Sequence, residues 1–215
     1  MHYRFDWTVV WTHRDLLLSG ALGTIEIFVP AAILGIIIGI LVGALKSSNL
    51  EIPRDLAGYY VLTFRNVPAV VILFFLYFAY RLDPYTAAVV GLAIHHGAYI
   101  AEVTQSGIRS CTRSLRTTAL ASGFTIFGAY RYVIIPVAFR IMLPPLATQM
   151  LELLKNTAVA MTISFAELTF SVSIITDETF RGFETATAGT VIYAGLALIL
   201  IAILNAVERR LKVRI

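Results

Sequence analysis

A long apolar segment near the amino terminus constrains the fold of this chain more than any other feature. Residues Leu16–Leu45 contain one charged side chain, Glu26, in thirty positions. About twenty apolar residues suffice to cross the hydrocarbon core of a bilayer as an α-helix. We therefore predict a first transmembrane helix over about 16–45, which excludes an ordinary soluble fold.

Further apolar segments follow along the chain. They predict an all-α integral membrane protein with five transmembrane helices, at about 16–45, 56–80, 84–108, 136–163 and 186–207, in a single domain, 1–215. Only 14% of the residues are charged and 58% are hydrophobic, whereas soluble domains carry about 25% charged residues. Most of the surface is therefore expected to face the lipid bilayer, and the basic excess indicates membrane topology rather than nucleic-acid binding.

The distribution of basic residues predicts the orientation in the membrane. The amino-terminal segment and the loops at 81–84 and 164–184 lie on one side and hold four basic residues, Arg4, Arg14, Arg81 and Arg181. The other side holds ten: Lys46, Arg54, Arg109, Arg113, Arg116, Arg131, Arg209, Arg210, Lys212 and Arg214. Because cytoplasmic loops carry the excess of Lys and Arg, we predict a periplasmic amino terminus and a cytoplasmic carboxy terminus.

Three glycines in the first segment recur every four residues, at Gly35, Gly39 and Gly43. Such a row of small side chains lets a neighbouring helix approach closely. We predict a close helix contact there, either within the chain or with a second copy.

The second segment is interrupted by Arg65-Asn66-Val67-Pro68. Proline removes a backbone donor and disfavours helix at the residue before it, and a break at membrane depth must be satisfied by protein or water. Ionisable side chains are expensive at that depth; the candidates are Glu26, Arg65, His95, His96, Glu102, Glu152 and Lys155. Glu152 and Lys155 could neutralise each other, and Glu26 and Glu102 could lie near the interfaces. Arg65, His95 and His96 are predicted to line a translocation path.

The stretch Ser114–Pro136 differs from a plain connector. An amphipathic helix over about 115–130 would place Leu120, Phe124 and Phe127 on one face, and Gly123 offers a place where the backbone can bend. This stretch resembles the cytoplasmic coupling loop of ATP-binding-cassette importer permeases, although Thr117-Thr118-Ala119 replaces its Glu-Ala-Ala. The resemblance implies that Leu120, Gly123, Phe124, Phe127 and Arg131 contact an ATPase.

Other motifs extend the resemblance from about Leu17 to Arg210. The pieces are FRNVP, HHGAYIAE, IIP, LPP and LLKNTAVA, in that order. Together they resemble permeases of the polar amino acid uptake family, most closely the glutamate/aspartate type. That family implies the fold of type I importer permeases in the bacterial inner membrane, with a homologous or identical second permease, two cytoplasmic ATPase subunits and a periplasmic solute-binding protein.

The sequence contains no pattern for chemistry of its own. A phosphate-binding loop of the G-x-x-x-x-G-K-[ST] type is missing, so ATP and Mg²⁺ are expected on the partner ATPase and no cofactor in this chain. His95 and His96 are adjacent, so on a helix they point apart and cannot easily share a metal. We expect a transport subunit without catalytic or metal-binding residues.

The charge of the fourth segment bears on the substrate. In many relatives an aspartate follows L-L-K, whereas Asn156 stands here beside Lys155. The replacement removes a buried negative charge while the neighbouring cations remain, and this balance of charges favours an anionic ligand. We therefore predict that the substrate is an acidic amino acid, glutamate or aspartate, or their amides. The expected binding residues are Arg65, Asn66, His95, His96, Leu153 and Asn156. An ion-coupled carrier, a membrane scaffold or receptor, and a permease for basic or neutral polar amino acids remain alternatives.

Overall fold

The computed structural model describes residues 4–211, without the side chains of 112–114 and 211. The side chain of Arg113 and the residues Lys212 and Arg214, all counted in the charge asymmetry, lie outside the described part. Throughout residues 4–211 the regular secondary structure is helical, which confirms the all-α prediction.

The helices follow one another with short connections. They are α1 (Thr8–Thr12), α2 (Arg14–Lys46), α3 (Glu51–Asn66), α4 (Ala69–Phe74), α5 (Pro84–Ala121), α6 (Ile126–Ala129), α7 (Ile135–Asn156), α8 (Leu168–Thr179) and α9 (Gly182–Leu211). A π-helical turn follows α4 at Phe75–Ala79, another precedes α7 at Tyr130–Ile134, and a 3₁₀ turn follows α7 at Thr157–Ile163.

Four apolar helical segments are long enough to cross a membrane: Arg14–Lys46, Pro84–Cys111, Ile126–Ile163 and Gly182–Arg210. A fifth, Glu51–Asn66 with Ala69–Ala79, qualifies only when its two parts are taken together as a broken segment. The interruption lies at Val67-Pro68, as the proline predicts. The described residues therefore contain up to five spans.

The third predicted helix is longer than the sequence interpretation had it, since α5 runs to Ala121 rather than to about 108. Neither proline nor glycine occurs between residue 108 and Gly123, so the helix continues beyond the apolar part. At about 1.5 Å per residue its 38 residues extend about 57 Å, well beyond a hydrocarbon core of about 30 Å. The carboxy-terminal part of α5 thus projects from the bilayer.

The chain forms two compact units, each assembled from three separate stretches. Unit 1 comprises residues 1–32, 69–92 and 151–202, and unit 2 comprises 33–68, 93–150 and 203–215. Neither unit corresponds to a continuous half of the chain, and the single domain at 1–215 stays a prediction.

Unit 1 is held together by close approaches at small residues of α2. Added Cβ atoms at Gly20 and Gly23 would collide with the backbone of Leu168 and Ala166, so α2 touches the start of α8 directly. Thr24 donates to the Gly20 carbonyl at 3.1 Å and accepts from the Leu168 N–H at 3.2 Å. These bonds fix the amino-terminal half of α2 against α8.

A fully buried carboxylate organises the amino terminus of α8. Glu167 accepts hydrogen bonds from the backbone N–H groups of Thr169 and Phe170, both at 2.8 Å, and from the Tyr193 hydroxyl at 2.7 Å. It therefore caps α8 and ties it to α9. Burial raises the pKa of the Glu167 carboxyl, although these donors oppose the shift.

Unit 2 contains the glycine row predicted for the first span. Cβ atoms added at Gly39 and Gly43 would meet the Ile100 side chain and the Ala101 carbonyl, and Gly35 faces the backbone of Ala93. The row therefore packs α2 against α5 within this chain. Of the two possible contacts, the structure shows the one inside the chain.

Candidate functional site

The broken second span leaves backbone carbonyls at the end of α3 without their usual helical donors. Pro68 has no N–H, so the Phe64 carbonyl lacks the donor that a continuous helix would provide four residues later. The ring of His95 on α5 lies against the backbone of Phe64 and of Val67. Its Nδ1 is buried and has no hydrogen-bond partner among the described residues.

Tyrosine side chains add to this arrangement. The Tyr99 hydroxyl donates to the Arg65 carbonyl at 3.1 Å, one turn further along α5 from His95. In the opposite direction, the Tyr60 hydroxyl of α3 donates to the Ile94 carbonyl of α5 at 2.7 Å. Tyr99 thus supplies a protein donor to one carbonyl at the break, as a non-helical backbone at membrane depth requires.

The side chain of Asn66 hydrogen-bonds to the backbone at the carboxy-terminal end of α3. Its amide donates to the Leu62 carbonyl at 2.6 Å, one turn back in α3. The side chain is otherwise exposed. Its proposed contact with a substrate stays a prediction.

Arg65 is paired with a carboxylate. Its Nη1 lies 3.4 Å from Oε2 of Glu102, and the same oxygen accepts a hydrogen bond of 2.7 Å from the Lys46 ammonium group. The Arg65 guanidinium also lies over the Tyr99 ring, 5.3 Å from its centroid. This charge cluster of Lys46, Arg65 and Glu102 joins the ends of α2 and α3 to α5.

The cluster alters the electrostatic argument for an anionic substrate. The sequence interpretation treated Arg65 as an uncompensated cation, whereas Glu102 compensates it in part. Gln105, which donates to the Lys46 carbonyl at 3.2 Å, extends the cluster by one turn of α5. Sequence reasoning did not identify Lys46, Tyr99 or Gln105 as site residues, although Tyr99 lies four residues after His95 and so on the same helical face.

His96 is almost fully buried, at 2% exposure, and its side chain hydrogen-bonds to Gln149 of α7. The two histidine rings are nearly perpendicular, with centroids 5.3 Å apart, as adjacent helical positions predict. Within the described residues no group of three or more His, Cys, Asp or Glu side chains is arranged to hold a metal ion.

Leu153 and Asn156 belong to unit 1, in contrast to Arg65, His95 and His96 in unit 2. Leu153 is fully buried, and Asn156 ends α7 before the 3₁₀ turn. Glu152 and Lys155 form the ion pair that their spacing suggested, at 2.6 Å. A common substrate site for these residues stays a prediction.

The coupling stretch contains a sharp turn within the helix predicted over about 115–130, at the glycine where a bend was expected. After Ala121 the chain turns at Gly123, whose φ is +88°. The Phe124 N–H bonds to the Ala119 carbonyl at 3.1 Å and the Gly123 N–H to the Leu120 carbonyl at 3.0 Å, which together form a Schellman motif. Glycine suits this left-handed position because it has no Cβ.

A second short helix, α6, begins immediately after the turn. The Thr125 hydroxyl accepts from the Gly128 N–H at 3.1 Å and caps it. Three apolar side chains predicted to couple are exposed around the turn: Leu120, Phe124 and Phe127, at 39%, 42% and 76%. Ile126, which was not among the predicted residues, is exposed beside them at 58%. Arg131 follows in the π-helical turn, exposed beside the Tyr132 ring. The turn, rather than one helical face, brings these residues to the surface.

Comparisons with known proteins agree with this architecture. Residues 35–213 match the family model described as binding-protein-dependent transport system inner membrane component. The chain is 38% identical over 217 residues to the glutamine transport system permease protein GlnP of Escherichia coli K12, covering 98% of this chain and 99% of that protein. It is 29% identical to the glutamate/aspartate import permease protein GltJ of the same strain, covering 94% and 89%.

Solved structures show the same fold. The crystal structure of an amino acid transporter of the ATP-binding-cassette class with histidines superposes with a TM-score of 0.89 at 30% identity, covering 97% of this chain and 100% of that one. The inward-facing methionine transporter MetNI superposes with a TM-score of 0.79 at 18% identity, covering 94% and 99%, and at that identity supports the fold alone.

Proposed function

Because the chain belongs to the family of binding-protein-dependent transport system inner membrane components, we propose that it is one permease subunit of an ATP-driven importer of polar amino acids. The observation that carries the proposal is the 38% identity with a glutamine permease across nearly the whole of both chains. ATP and Mg²⁺ would bind to a partner ATPase, and a periplasmic solute-binding protein would deliver the substrate.

The exposed turn around Gly123 supports the coupling role. Four large apolar side chains are exposed there around a capped turn that follows the end of α5. Apolar groups on such a projection favour insertion into a groove of another protein. The cytoplasmic ATPase is the partner we propose for this surface.

Glu26 supports pairing with a second permease, homologous or identical. It lies near the middle of the first span and is exposed, and it makes no ion pair within the described part of the chain. An acidic side chain at the bilayer centre costs roughly 3 kcal/mol on insertion scales. Contact with a second subunit would remove Glu26 from lipid.

For the substrate we propose the glutamate–glutamine class, with the amide favoured. The relatives named above include a glutamine and a glutamate/aspartate permease. Glu102 partly neutralises the charge of Arg65. The predicted site therefore has less positive charge to attract a substrate with an anionic side chain. Asn156, His96 and Gln149 offer neutral hydrogen-bonding groups, which suit an amide.

The test is uptake of radiolabelled glutamine by proteoliposomes that contain the permease with its ATPase and binding protein. We expect ATP-dependent uptake, with unlabelled glutamine the strongest competitor, glutamate weaker, and arginine and histidine weakest. Asn156→Asp should weaken competition by glutamate more than by glutamine, because it adds a negative charge. Equal competition by arginine would contradict the proposed substrate class, and uptake without nucleotide would contradict the ATP-driven mechanism.

A further inference from the structure

A cavity of about 530 Å³ opens in unit 2 where the membrane-spanning parts of α2 and α5 end. It is lined by two arginines, Arg109 and Arg116, and by the polar side chains of Asn49, Thr117 and Tyr130. None of its lining residues is acidic. The cavity is therefore positively charged and rich in hydrogen-bond donors.

Neither arginine forms an ion pair with a carboxylate among the described residues, although Arg109 interacts with Glu102 over a longer distance. Arg116 Nε is buried and has no hydrogen-bond partner there, and neither guanidinium forms an ion pair within that part of the chain. The neighbouring cations, in contrast, form ion pairs with carboxylates. Lys46 and Arg65 both pair with Glu102, and Arg54 pairs with Asp55. An unpaired buried donor is costly, so the cavity is complementary to an acceptor that the described part of the chain does not supply.

The chemistry of the lining indicates which acceptor fits. Guanidinium groups bind phosphate through paired N–H···O bonds, and the Asn49 amide and Tyr130 hydroxyl can add neutral donors. A cavity of this size accommodates a phosphate group with the polar part of a phospholipid.

The position of the cavity favours a lipid. The first candidate span ends at Lys46 and the apolar part of α5 ends at Cys111, so we expect the opening at the level of the phospholipid headgroups. Anionic headgroups attract arginines just outside a span, and tyrosine is enriched at the same level. We propose that Arg109 and Arg116 form a phosphate-binding site whose ligand is the headgroup of an anionic phospholipid, with free phosphate as the other source of the same group.

The experiment measures binding of two probes to the delipidated complex of the permease with its partner subunits. The probes are short-chain phosphatidylglycerol and inorganic phosphate, each titrated by calorimetry. Arg109→Gln and Arg116→Gln should each weaken phosphatidylglycerol binding about tenfold or more, because each removes a charge-assisted hydrogen bond. Arg209→Gln is the matched control, since it removes the same charge from an exposed position of α9 in the same unit.

Thr117→Glu provides a second variant that leaves both arginines in place. A carboxylate at this lining position would occupy the arginines internally and should weaken phosphatidylglycerol binding to a similar extent. Co-purification of the partner subunits at unchanged yield shows that each variant is assembled.

The outcomes distinguish the two sources. Loss of phosphatidylglycerol binding in the three cavity variants, with Arg209→Gln unaffected, supports the lipid site. If only inorganic phosphate binds, and the three cavity variants lose that binding while Arg209→Gln keeps it, the site is supported with a free anion as its ligand. Binding of neither probe, or equal loss in Arg209→Gln, overturns the proposal and would instead indicate diffuse surface charge or a carboxylate from a partner subunit in the cavity.

Discussion

At the residue scale, the most informative groups are those that compensate for Pro68. The proline was recognised from the sequence, and so was the need to satisfy the broken backbone. The donors were not, because they come from α5, about thirty residues further along the chain. Only the fold brings the His95 ring to Phe64 and Val67, and it gives a structural role to a residue that the sequence suggested only for transport.

The charge cluster of Lys46, Arg65 and Glu102 gives a prediction at this scale. Glu102→Gln should lower the free energy of unfolding by about 1 kcal/mol, since it leaves a largely buried ammonium without its partner while Glu102 itself is 41% exposed and screened. Thermal unfolding of the purified complex measures the change. Glu152→Gln breaks a more exposed pair of the same type and should have an effect near zero; equal shifts for both variants would contradict a special role for Glu102.

At the scale of the elements, the glycine row of α2 sets how closely that helix approaches α5. The repeat at Gly35, Gly39 and Gly43 was sufficient to predict a close contact, because small residues at a spacing of four share one helical face. It was not sufficient to choose the partner helix. That choice depends on the complementary small positions of α5, Ala93, Gly97 and Ala101, which the structure places opposite.

Gly39→Leu tests this contact. A side chain at Gly39 would collide with Ile100, and overpacking of this kind costs about 1–3 kcal/mol. We expect a lower yield of the complex in detergent and earlier thermal unfolding. The control is Gly195→Leu in α9, where an added Cβ meets nothing within 4 Å; if both variants are recovered equally well, the close contact does not matter for stability.

The turn at Gly123 gives a second prediction for an element. Gly123→Arg should leave insertion and assembly intact but abolish ATP-driven uptake, because it places a long charged side chain and a strained backbone on the coupling surface. Gly123→Asn separates the two effects, since asparagine tolerates the left-handed conformation. We expect Gly123→Asn to retain most of the uptake in proteoliposomes. If the Gly123→Arg variant transports at the rate of the unmutated protein, this surface does not couple ATP hydrolysis to transport.

At the scale of the whole molecule, the class of protein could be read from composition and apolar length, and the described residues contain four to five candidate spans where five were predicted. Boundaries were less accurate: α5 extends past the predicted end at 108, because polarity marks where a helix leaves the bilayer and not where it stops. The division into two units was not foreseen at all. It depends on which distant segments pack together, and hydrophobic periodicity does not encode that.

The orientation in the membrane can be tested with the whole chain. Cys111 is the one cysteine in the sequence and it is buried, so Cys111→Ser provides a background for single introduced cysteines. In that background Asp83→Cys should react with a membrane-impermeant maleimide added to intact cells lacking an outer membrane, whereas Arg209→Cys should react only after permeabilisation. The reverse pattern would contradict the periplasmic amino terminus inferred from the charges.

The interleaving of the two units has a consequence for biosynthesis. By the time residue 150 has left the ribosome, nearly all of unit 2 has been made, but unit 1 still lacks residues 151–202. The first two stretches of unit 1 therefore stay without their packing partner until residues 151–202 are made. Gly20, Gly23 and Thr24 can form their contacts only when the segment that begins at Ala166 is present. Contacts this distant in sequence form slowly. A chain that ended just after residue 150 would contain nearly all of unit 2 but would lack the last stretch of unit 1.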